Sequence, residues 1–395
     1  MLDPLLPEYD FVVIGSGPAG LLAALTLAGK TAKTRIALID KRDPWREPVS
    51  CAEAVPREWL EKLVPKVDME WVRGSVDGVL FVAPDGTKVE FERKESGWLI
   101  DRALMHKRLA EECRSRGVHC NFRTRITGLS RLENGLRTLR YEGEISGEIR
   151  ARVVMDCSGP GAGFGAGEKI VQGNFDVEPA VFALVRGLKS PVNYIQLFFG
   201  KNYAPGGYAW IFPRDKDLAN VGLVVGRDFA QEAPARQALK NFLNLACPGA
   251  EVETFQGGAI PCGYPDDPLA VDNLYKAGDA ANMVHPISRA GIVEAMAGGM
   301  FAAEAALKSL SMQNESERMP IYEEYKAHWD KAFGLDHRSM CRAKKDFMDI
   351  PDAVYNRAAQ GLAKLSAAKL TMPRIFLTVM WRSPSLLWKM RGLFL

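Results

Sequence analysis

Apolar residues at the start of the chain change from a strand pattern to a helix pattern and back again. Residues 9–14 form a short run rich in Val and Ile, which is typical of a buried parallel strand. Residues 21–29 read LLAALTLAG and predict a helix. A second strand is predicted at 35–39, and it ends at Asp40. The order strand, helix, strand predicts the beginning of a parallel α/β sheet.

The later pattern predicts a long excursion into antiparallel strands before the chain returns to the parallel sheet. Helices are predicted at 57–64, 101–116, 232–246, 292–310 and from 317 onwards. Strands are predicted at 72–98, 119–123, 128–132, 151–156, 180–225, 254–261 and 273–277. Turns are predicted within the first of these stretches, at Asp77-Gly78 and Asp85-Gly86, and after the strand at 128–132, at Asn134-Gly135. This order predicts a parallel-sheet domain assembled from separated segments, with a β-sheet domain inserted.

Three glycines between the first strand and the first helix have the spacing of a dinucleotide-binding turn. Gly15 allows the tight turn, Gly17 lets a pyrophosphate approach the backbone, and Gly20 lets the helix pack close to the strand. The amide groups at the helix N-terminus favour phosphate, and Asp40 follows at the distance where an acid holds ribose hydroxyls. The alternative is a glycine-rich turn without a ligand.

Composition excludes several classes of protein and of site. The chain has 395 residues and a net charge of +3, which is too small to indicate nucleic-acid binding. Seven cysteines without CxxC spacing suggest neither a zinc site nor an iron–sulfur cluster, and they fit a reducing cytoplasm. Residues 1–8 are short and acidic, so no signal peptide is expected, and no apolar run is long enough for a membrane span.

Several motifs together resemble one class of flavoprotein. The segments VIGSGPAG at 13–20, AGDAA at 277–281 and HPISRAGI at 285–292, with Arg102 after WLID, resemble flavoproteins of the para-hydroxybenzoate hydroxylase fold. Two motifs narrow the resemblance to the geranylgeranyl reductases. CAEA at 51–54 resembles their CGEG-like loop, and YAWIFP at 208–213 matches their YxWxFP signature.

The resemblance implies an α/β fold with α+β inserts. It implies a Rossmann-like FAD-binding domain at 1–71, 99–165 and 262–310, an inserted antiparallel β-sheet substrate domain at 72–98 and 166–261, and a helical C-terminal region at 311–395. It also implies an enzyme that uses FAD to saturate isoprenoid double bonds, of membrane ether lipids, prenyl diphosphates, or chlorophyll and quinone side chains. The electron donor (NAD(P)H, ferredoxin or another carrier) is left open.

The resemblance also implies a set of site residues. FAD contacts are expected from Gly15, Ser16, Gly17, Pro18, Ala19, Gly20, Asp40, Lys41, Cys51, Ala52, Ala54, Arg102, Ile126, Gly278, Asp279, Gly291 and Ile292. Cys51 is the catalytic candidate because its loop would face the flavin, although a buried structural cysteine is the commoner state. No metal ligands are predicted. His106 and His285 are possible proton sources, with a capped surface histidine as the favoured interpretation of each.

The aromatic residues of the YxWxFP motif have two structural interpretations. Tyr208, Trp210 and Phe212 alternate along a strand and therefore share one face. They predict an apolar wall for a prenyl chain, with Pro213 ending the strand, whereas the ordinary interpretation of such a stripe is a packed core. Reduction of an isolated alkene needs few polar groups, which agrees with the lack of a recognisable Ser/His or His/Asp constellation.

Three departures from the family pattern bear on the substrate more than on the fold. The loop reads CAEA, so backbone freedom is expected to be reduced at Ala52 and Ala54. The turn usually read TGGGI is SRAGI at 288–292, and the G-x-G after the aromatic motif is reduced to Gly222.

Other flavoenzymes and a non-enzymatic flavin- or lipid-binding protein are the alternatives. FAD monooxygenases and halogenases share the fold class. Tryptophan halogenases have the signature WxWxIP, whereas this chain has Tyr208 in place of the first Trp and Phe212 in place of the Ile. A quinone-linked flavoprotein oxidoreductase needs a cysteine cluster near its C-terminus, and only Cys341 follows Cys262.

The C-terminal segment is basic and rich in apolar residues. It has no Asp or Glu after Asp352, and aromatic residues are interleaved with cations. The cations are Arg357, Lys364, Lys369, Arg374, Arg382, Lys389 and Arg391. This pattern predicts a surface for anionic lipid, with a helical cap on the core as the alternative. A cytoplasmic enzyme peripheral at the inner face of the membrane is therefore expected.

Overall fold

The chain folds into two compact units, each built around its own eight-stranded sheet. The structure is a computed structural model, and it describes residues 4–31, 34–46, 50–64, 66–160, 163–164, 176–188, 193–264 and 268–365. Unit 1 comprises the described residues within 1–49, 102–175 and 261–338. Unit 2 comprises those within 50–101, 176–260 and 339–395.

Unit 1 contains a mainly parallel sheet assembled from distant parts of the chain. Its strands are β1 (Glu8–Ile14), β2 (Ile36–Asp40), β6 (His119–Phe122), β7 (Arg125–Leu129), β8 (Arg137–Glu142), β9 (Gly147–Asp156), β15 (Ala270–Val271) and β16 (Leu274–Lys276). The order is β15-β16-β9-β1-β2-β6, and β8 joins β7 to β9. Strand β1 pairs in parallel with both β2 and β9, so it is central and almost wholly buried.

Four long helices belong to unit 1. They are α1 (Pro18–Lys30), α3 (Arg102–Ser115), α5 (Ile292–Ser309) and α6 (Glu315–Trp329). Helices α1 and α5 are rich in Ala and Gly, and small side chains let their backbones approach closely. Tyr325 of α6 donates its hydroxyl to the carbonyl of Lys276 at 2.6 Å, which ties α6 to the end of β16. A π-helical turn at Asp330–Gly334 follows α6.

Unit 2 contains the second sheet, in the order β14-β10-β13-β12-β11-β4-β5-β3. Its strands are β3 (Ala54–Pro56), β4 (Val72–Val82), β5 (Lys88–Ile100), β10 (Val177–Arg186), β11 (Tyr194–Phe198), β12 (Tyr208–Pro213), β13 (Leu218–Val224) and β14 (Glu251–Pro261). Its helices are α2 (Arg57–Leu63), α4 (Ala235–Ala246), α7 (Leu335–Met348, from Ser339 onwards) and α8 (Asp352–Leu362). One face of the sheet packs on α4, with Ala209, Ile211 and Phe242 in the same core.

The local predictions hold for most elements and fail where a strand partner decides the outcome. The turns at Asp85-Gly86 and Asn134-Gly135 are confirmed, with positive φ at Gly86, Asn134 and Gly135. The turn at Asp77-Gly78 is wrong, because β4 continues through it as a bulge opposite β5. The strand predicted at 128–132 begins earlier, at Arg125, because β7 takes its register from β8.

The compact units differ from the predicted domain boundaries in several stretches. Residues 50–71 and 99–101 lie in unit 2, because β3 pairs with β5 and Asp101 donates its N–H to the carbonyl of Trp71. Residues 311–338 lie in unit 1, because α6 packs on α5. The described residues from 339 onwards lie in unit 2. The division into FAD-binding, substrate and C-terminal regions stays a prediction about function.

Part of the C-terminal prediction lies outside the described residues. Arg357 and Lys364 are described, whereas Lys369, Arg374, Arg382, Lys389 and Arg391 are not. Within the described ranges, none of the helices has the length and apolarity needed to cross a bilayer.

Candidate active site

The glycine turn of unit 1 has the geometry of a phosphate cradle. Gly15 has φ of +100°, which only glycine adopts readily. A Cβ on Gly20 would lie 1.8 Å from the carbonyl oxygen of Gly15, so any larger residue would push α1 away from the turn. A Cβ on Gly17 would meet nothing within 4 Å, so the space in front of the α1 N-terminus is open. Two glycines therefore shape the turn, and the third leaves room for a ligand.

Asp40 braces the glycine turn as well as ending β2. Its Oδ2 accepts the backbone N–H of Ser16 at 2.5 Å and the Ser16 hydroxyl at 2.8 Å, and its Oδ1 accepts the N–H of Arg42. A carboxylate has about four acceptor positions, and donors among the described residues occupy three of those on Asp40. Lys41 follows β2 and is exposed. Ile126 is buried in β7, where it pairs with Tyr141.

Two of the predicted flavin contacts lie within electrostatic reach of each other. Arg102 is the first residue of α3, and Asp279 lies in the short helical turn Gly278–Ala281 that follows β16. Burial raises the pKa of Asp279, and the positive charge of Arg102 opposes that rise. Gly278 has φ of +66°, and a Cβ there would meet Ala19 of α1 at 3.0 Å. The turn therefore lies against the beginning of α1, beside the glycine cradle.

The N-terminus of α5 is formed by the SRAGI turn. Gly291 is the N-cap of α5 and Ile292 its first residue. The first turn of a helix leaves backbone N–H groups free and carries a partial positive charge. Arg289 adopts φ of +57° at a position where the family has glycine, which costs about 1 kcal/mol or more of backbone strain. The departure from TGGGI is thus accommodated without a change in the helix start.

Glu294 is a buried acid near the start of α5 that was not among the residues predicted from the sequence. It is the third residue of α5 and 6% exposed, and its Oε2 has no hydrogen-bond partner among the described residues. Burial raises its pKa to about 7, partly opposed by the Glu294 backbone N–H. Perturbed carboxyl groups of this kind concentrate at functional sites. The available signal was a single acid in the apolar run GIVEAMAGG.

The two candidate histidines occupy different environments. His106 is buried, which lowers its pKa well below the ordinary value, and it accepts a hydrogen bond from Arg102 Nε at 3.3 Å. The expectation of a surface histidine is therefore wrong for His106, because α3 packs that face inward. His285 caps its own loop, with Nδ1 accepting the N–H groups of Ile287 and Ser288.

The Cys51 loop belongs to unit 2 and precedes β3. Cys51 is partly buried, and its Sγ accepts the N–H of Glu53 at 3.2 Å. Within CAEA, the residue with a left-handed backbone conformation is Glu53, with φ of +70°. The backbone strain of the loop therefore lies at Glu53, and not at Ala52 or Ala54, where reduced backbone freedom was expected. The Glu53 carboxylate pairs with Arg214 at 3.1 Å.

The aromatic residues of β12 form one continuous stripe, as predicted. The ring centroids of Tyr208 and Trp210 are 6.1 Å apart, and those of Trp210 and Phe212 are 6.2 Å apart. Ala52 and Ala54 of the Cys51 loop pack against the same cluster. The structure therefore brings the predicted substrate wall and the predicted flavin-facing loop together within unit 2. Trp210 and Phe212 are buried, whereas Tyr208 is partly exposed.

Comparison with known proteins places these features in one family. Residues 176–259 match the geranylgeranyl reductase catalytic domain, and residues 10–192 match the lycopene cyclase protein family. The chain is 31% identical to the digeranylgeranylglycerophospholipid reductase of Methanosarcina acetivorans, over 98% of this chain and 96% of that protein. The chain belongs to the geranylgeranyl reductase family. The reductase of the same name from Methanosarcina mazei is also 31% identical, with the same coverage.

Solved structures show the same fold. The geranylgeranyl bacteriochlorophyll reductase-like protein of Thermoplasma acidophilum superposes with a TM-score of 0.86 at 21% identity, covering 98% of this chain and 99% of that one. The flavin-dependent brominase Bmp2 superposes with a TM-score of 0.70 at 19% identity, covering 98% of this chain and 93% of that one. This chain thus shares its fold with a geranylgeranyl bacteriochlorophyll reductase-like protein and with a flavin-dependent brominase.

Proposed function

We propose that this protein is an FAD-dependent reductase that saturates carbon–carbon double bonds of geranylgeranyl chains in ether-linked membrane lipids. The observation that carries the proposal is the YAWIFP stripe packed with the Cys51 loop inside unit 2. This cluster lies in a chain that matches, over almost its full length, relatives named digeranylgeranylglycerophospholipid reductases. Family membership supports the reaction type, and the apolar stripe supports the class of substrate.

FAD fits the residues of unit 1. The open space at Gly17 and the α1 N-terminus suit a pyrophosphate, and the remaining acceptor position of Asp40 suits a ribose hydroxyl. Asp279, Arg102 and the first turn of α5 would hold the flavin end. When bound and reduced by the electron donor, FAD would supply a hydride to one carbon of the double bond. The partial positive charge of the α5 N-terminus favours negative charge on its ligand.

The described residues of unit 2 offer a prenyl chain apolar contact and few competing polar groups. Trp210 and Phe212 present a wall of rings, and Val76, Phe182 and Leu99 belong to the same cluster. Such a wall holds an isoprenoid chain by apolar contact and excludes water from the reacting carbons. Saturation also requires a proton on the second carbon. Cys51 is the candidate donor that we propose in unit 2.

The proposal is tested by an anaerobic single-turnover experiment. The purified protein is reduced with dithionite, and a digeranylgeranyl glycerophospholipid is added in detergent. We expect the flavin absorbance to return without oxygen, and the lipid to gain two hydrogen atoms for each saturated bond in its mass spectrum. A geranylgeranyl lipid already saturated throughout its chains is the control, and it should leave the flavin reduced.

Three results would contradict the proposal. A protein that is colourless and stays so after incubation with FAD would not be a flavoenzyme. Reoxidation only by oxygen, with a hydroxylated or halogenated aromatic product, would support a monooxygenase or halogenase, the alternative that shares this fold. Reoxidation by a soluble quinone alone would support a quinone-linked oxidoreductase.

Contact with the membrane is a further part of the proposal, and it rests on the composition of residues 366–395, outside the described residues. Their cations and aromatic residues suit anionic lipid. We expect the full chain to sediment with vesicles that contain anionic lipid, and less so in a variant with Arg382, Lys389 and Arg391 changed to Gln. Equal sedimentation with neutral vesicles would contradict an electrostatic contact. The electron donor stays open among NAD(P)H, ferredoxin and other carriers.

A further inference from the structure

Asn220 joins the aromatic stripe of unit 2 to the backbone of the Cys51 loop. It lies on β13 and is 1% exposed. Its Oδ1 accepts the indole N–H of Trp210 at 2.9 Å, and its Nδ2 donates to the carbonyl oxygen of Cys51 at 2.8 Å. An indole N–H only donates and a carbonyl only accepts, so the amide of Asn220 has one orientation. The buried amide therefore makes a directed link between two elements far apart in sequence.

Gly222 makes this link possible. Trp210 of β12 is the register partner of Gly222, and Phe212 is the partner of Asn220. A Cβ on Gly222 would lie 2.4 Å from Cζ2 of Trp210, so the indole lies across β13 where a side chain would otherwise stand. The ring therefore runs diagonally over the strand and presents its N–H to Asn220. The reduced G-x-G pattern keeps the one glycine that this arrangement requires.

The other end of the Cys51 loop is fixed independently. Glu53 takes a left-handed backbone conformation and donates its N–H to Cys51 Sγ. Its carbonyl oxygen accepts the N–H of Ile100 at 2.9 Å. Its carboxylate pairs with Arg214. The contact of Asn220 with the Cys51 carbonyl holds the upstream side of the same loop. The thiol thus lies between two anchored backbone positions, Cys51 and Glu53.

We propose that Asn220 is a positioning residue for the reduction, and that it sets the place of the Cys51 thiol relative to the Trp210 wall. The inference rests on the proposed function for its catalytic meaning. Asn220 itself transfers no proton; it acts through the loop. Because one amide contacts both Trp210 and Cys51, movement of the indole is passed directly to the backbone that carries the thiol.

The first test measures the loop itself, without lipid. Site-resolved alkylation by iodoacetamide, followed by peptide mass spectrometry, reports the reactivity of Cys51 separately from that of the other cysteines. In Asn220→Leu the Cys51 carbonyl loses its donor, and we expect Cys51 to be alkylated about fivefold faster, the effect of one neutral hydrogen bond. In Trp210→Phe the amide loses one anchor but keeps the loop contact, so we expect a smaller increase, about twofold.

Trp71→Phe is the matched control, because Trp71 is a buried indole of unit 2 that is 1% exposed. It should leave the alkylation rate of Cys51 unchanged. An unchanged rate in a folded Asn220→Leu protein would overturn the proposal. If Asn220→Leu does not fold, an unchanged rate in Trp210→Phe overturns it instead. Folding is checked by circular dichroism, and flavin content by absorbance.

The second test separates positioning from binding. With saturating lipid, we expect Asn220→Leu to lower the single-turnover rate of reduction about tenfold. The lipid concentration that gives half the maximal rate should stay within about twofold of the wild type. A loss of lipid affinity at an unchanged rate would overturn positioning. If the wild type reduces no lipid, the proposed function fails, while the alkylation test still decides whether Asn220 holds the loop.

Discussion

A methyl group placed on Gly299 would lie 2.0 Å from the backbone carbonyl oxygen of Ala19, so α5 and α1 touch through their backbones. We predict that Gly299→Ala forces the two helices apart and lowers the free energy of unfolding by roughly 3 kcal/mol. Because α1 forms one side of the glycine cradle, the variant should also bind less flavin. Thermal unfolding and the ratio of flavin to protein absorbance measure the two effects.

Gly29→Ala is the control for this prediction. Gly29 lies in α1 as well, but a Cβ there would meet only Arg116 Nη1, at the ordinary distance of 3.4 Å. The change should be neutral or stabilise by up to about 1 kcal/mol, as expected for Gly to Ala in a helix. Equal destabilisation by both variants would show that backbone contact between α1 and α5 is not the cause.

Gly17→Ala is predicted to separate cofactor binding from folding. Gly17 has φ of −72°, and a Cβ there meets no atom of the protein within 4 Å, so alanine fits the turn. The methyl group would instead enter the space proposed for the pyrophosphate. We expect FAD affinity to fall at least about tenfold, equivalent to about 1.4 kcal/mol. Fluorescence titration of the flavin-free protein with FAD measures the change.

Gly258→Ala provides the comparison for Gly17→Ala. A Cβ on Gly258 of β14 likewise meets nothing within 4 Å, but Gly258 lies in unit 2. Its FAD affinity should equal that of the wild type. The cradle assignment is contradicted if Gly17→Ala binds FAD as tightly as Gly258→Ala does.

Glu294 should make the stability of the protein depend on pH. Burial raises its pKa from 4.5 to about 7, so the folded protein holds this proton more tightly than the unfolded chain. The free energy of unfolding therefore falls as the pH rises from about 4.5 to about 7, and it stays lower above that range. Glu294→Gln removes the effect, and it should be more stable than the wild type by up to about 3 kcal/mol at pH 8.

The measurement is the difference in melting temperature between Glu294→Gln and the wild type, recorded from pH 4 to pH 8. Other buried groups such as Asp156 and Asp279 are common to both proteins and cancel in the difference. Glu304→Gln, on the more exposed part of α5, is the control for the substitution itself. A difference that shrinks as the pH rises would contradict the burial of the Glu294 carboxyl.

Lys276 and Asp156 form a buried ion pair at the ends of β16 and β9. Lys276 Nζ lies 3.4 Å from Asp156 Oδ2, and both side chains are almost fully inaccessible. We predict that Lys276→Met destabilises unit 1 by about 3–5 kcal/mol, because it leaves the carboxylate buried without its cation. Thermal or denaturant unfolding measures the loss.

The double variant Lys276→Met with Asp156→Asn tests the cause of that loss. Removing both charges should recover most of the stability, because the penalty comes from the uncompensated carboxylate and not from the missing amine. If the losses of unfolding free energy in the two single variants simply add in the double variant, Lys276 acts through packing alone.

The first elements of unit 1 were predictable because their signals are local. The glycine spacing, the apolar strand and the Ala-rich helix predict β1, α1 and β2 within a few residues of where they lie. The stripe of Tyr208, Trp210 and Phe212 followed from strand alternation in the same way. Local geometry of this kind needs no knowledge of distant neighbours.

The remaining features depend on partners that are distant in sequence. Asp77-Gly78 has the composition of a turn, but pairing with β5 makes it a bulge. The left-handed residue of CAEA is Glu53, because Arg214 and Ile100 hold that loop. The roles of Asn220 and Glu294 depend on burial and on a hydrogen bond across the sheet, and neither leaves a mark in local composition.

The strand order of unit 1 has a consequence for synthesis on the ribosome. Strand β1 emerges first, but its partner β9 follows after residue 147, and α1 meets α5 only when residue 299 has been translated. The nascent chain therefore exposes one edge of β1 until β9 has been made, and the α5-facing side of α1 until residue 299 has been made. We therefore expect the contact between α1 and α5, and any binding that depends on it, to form only late in translation.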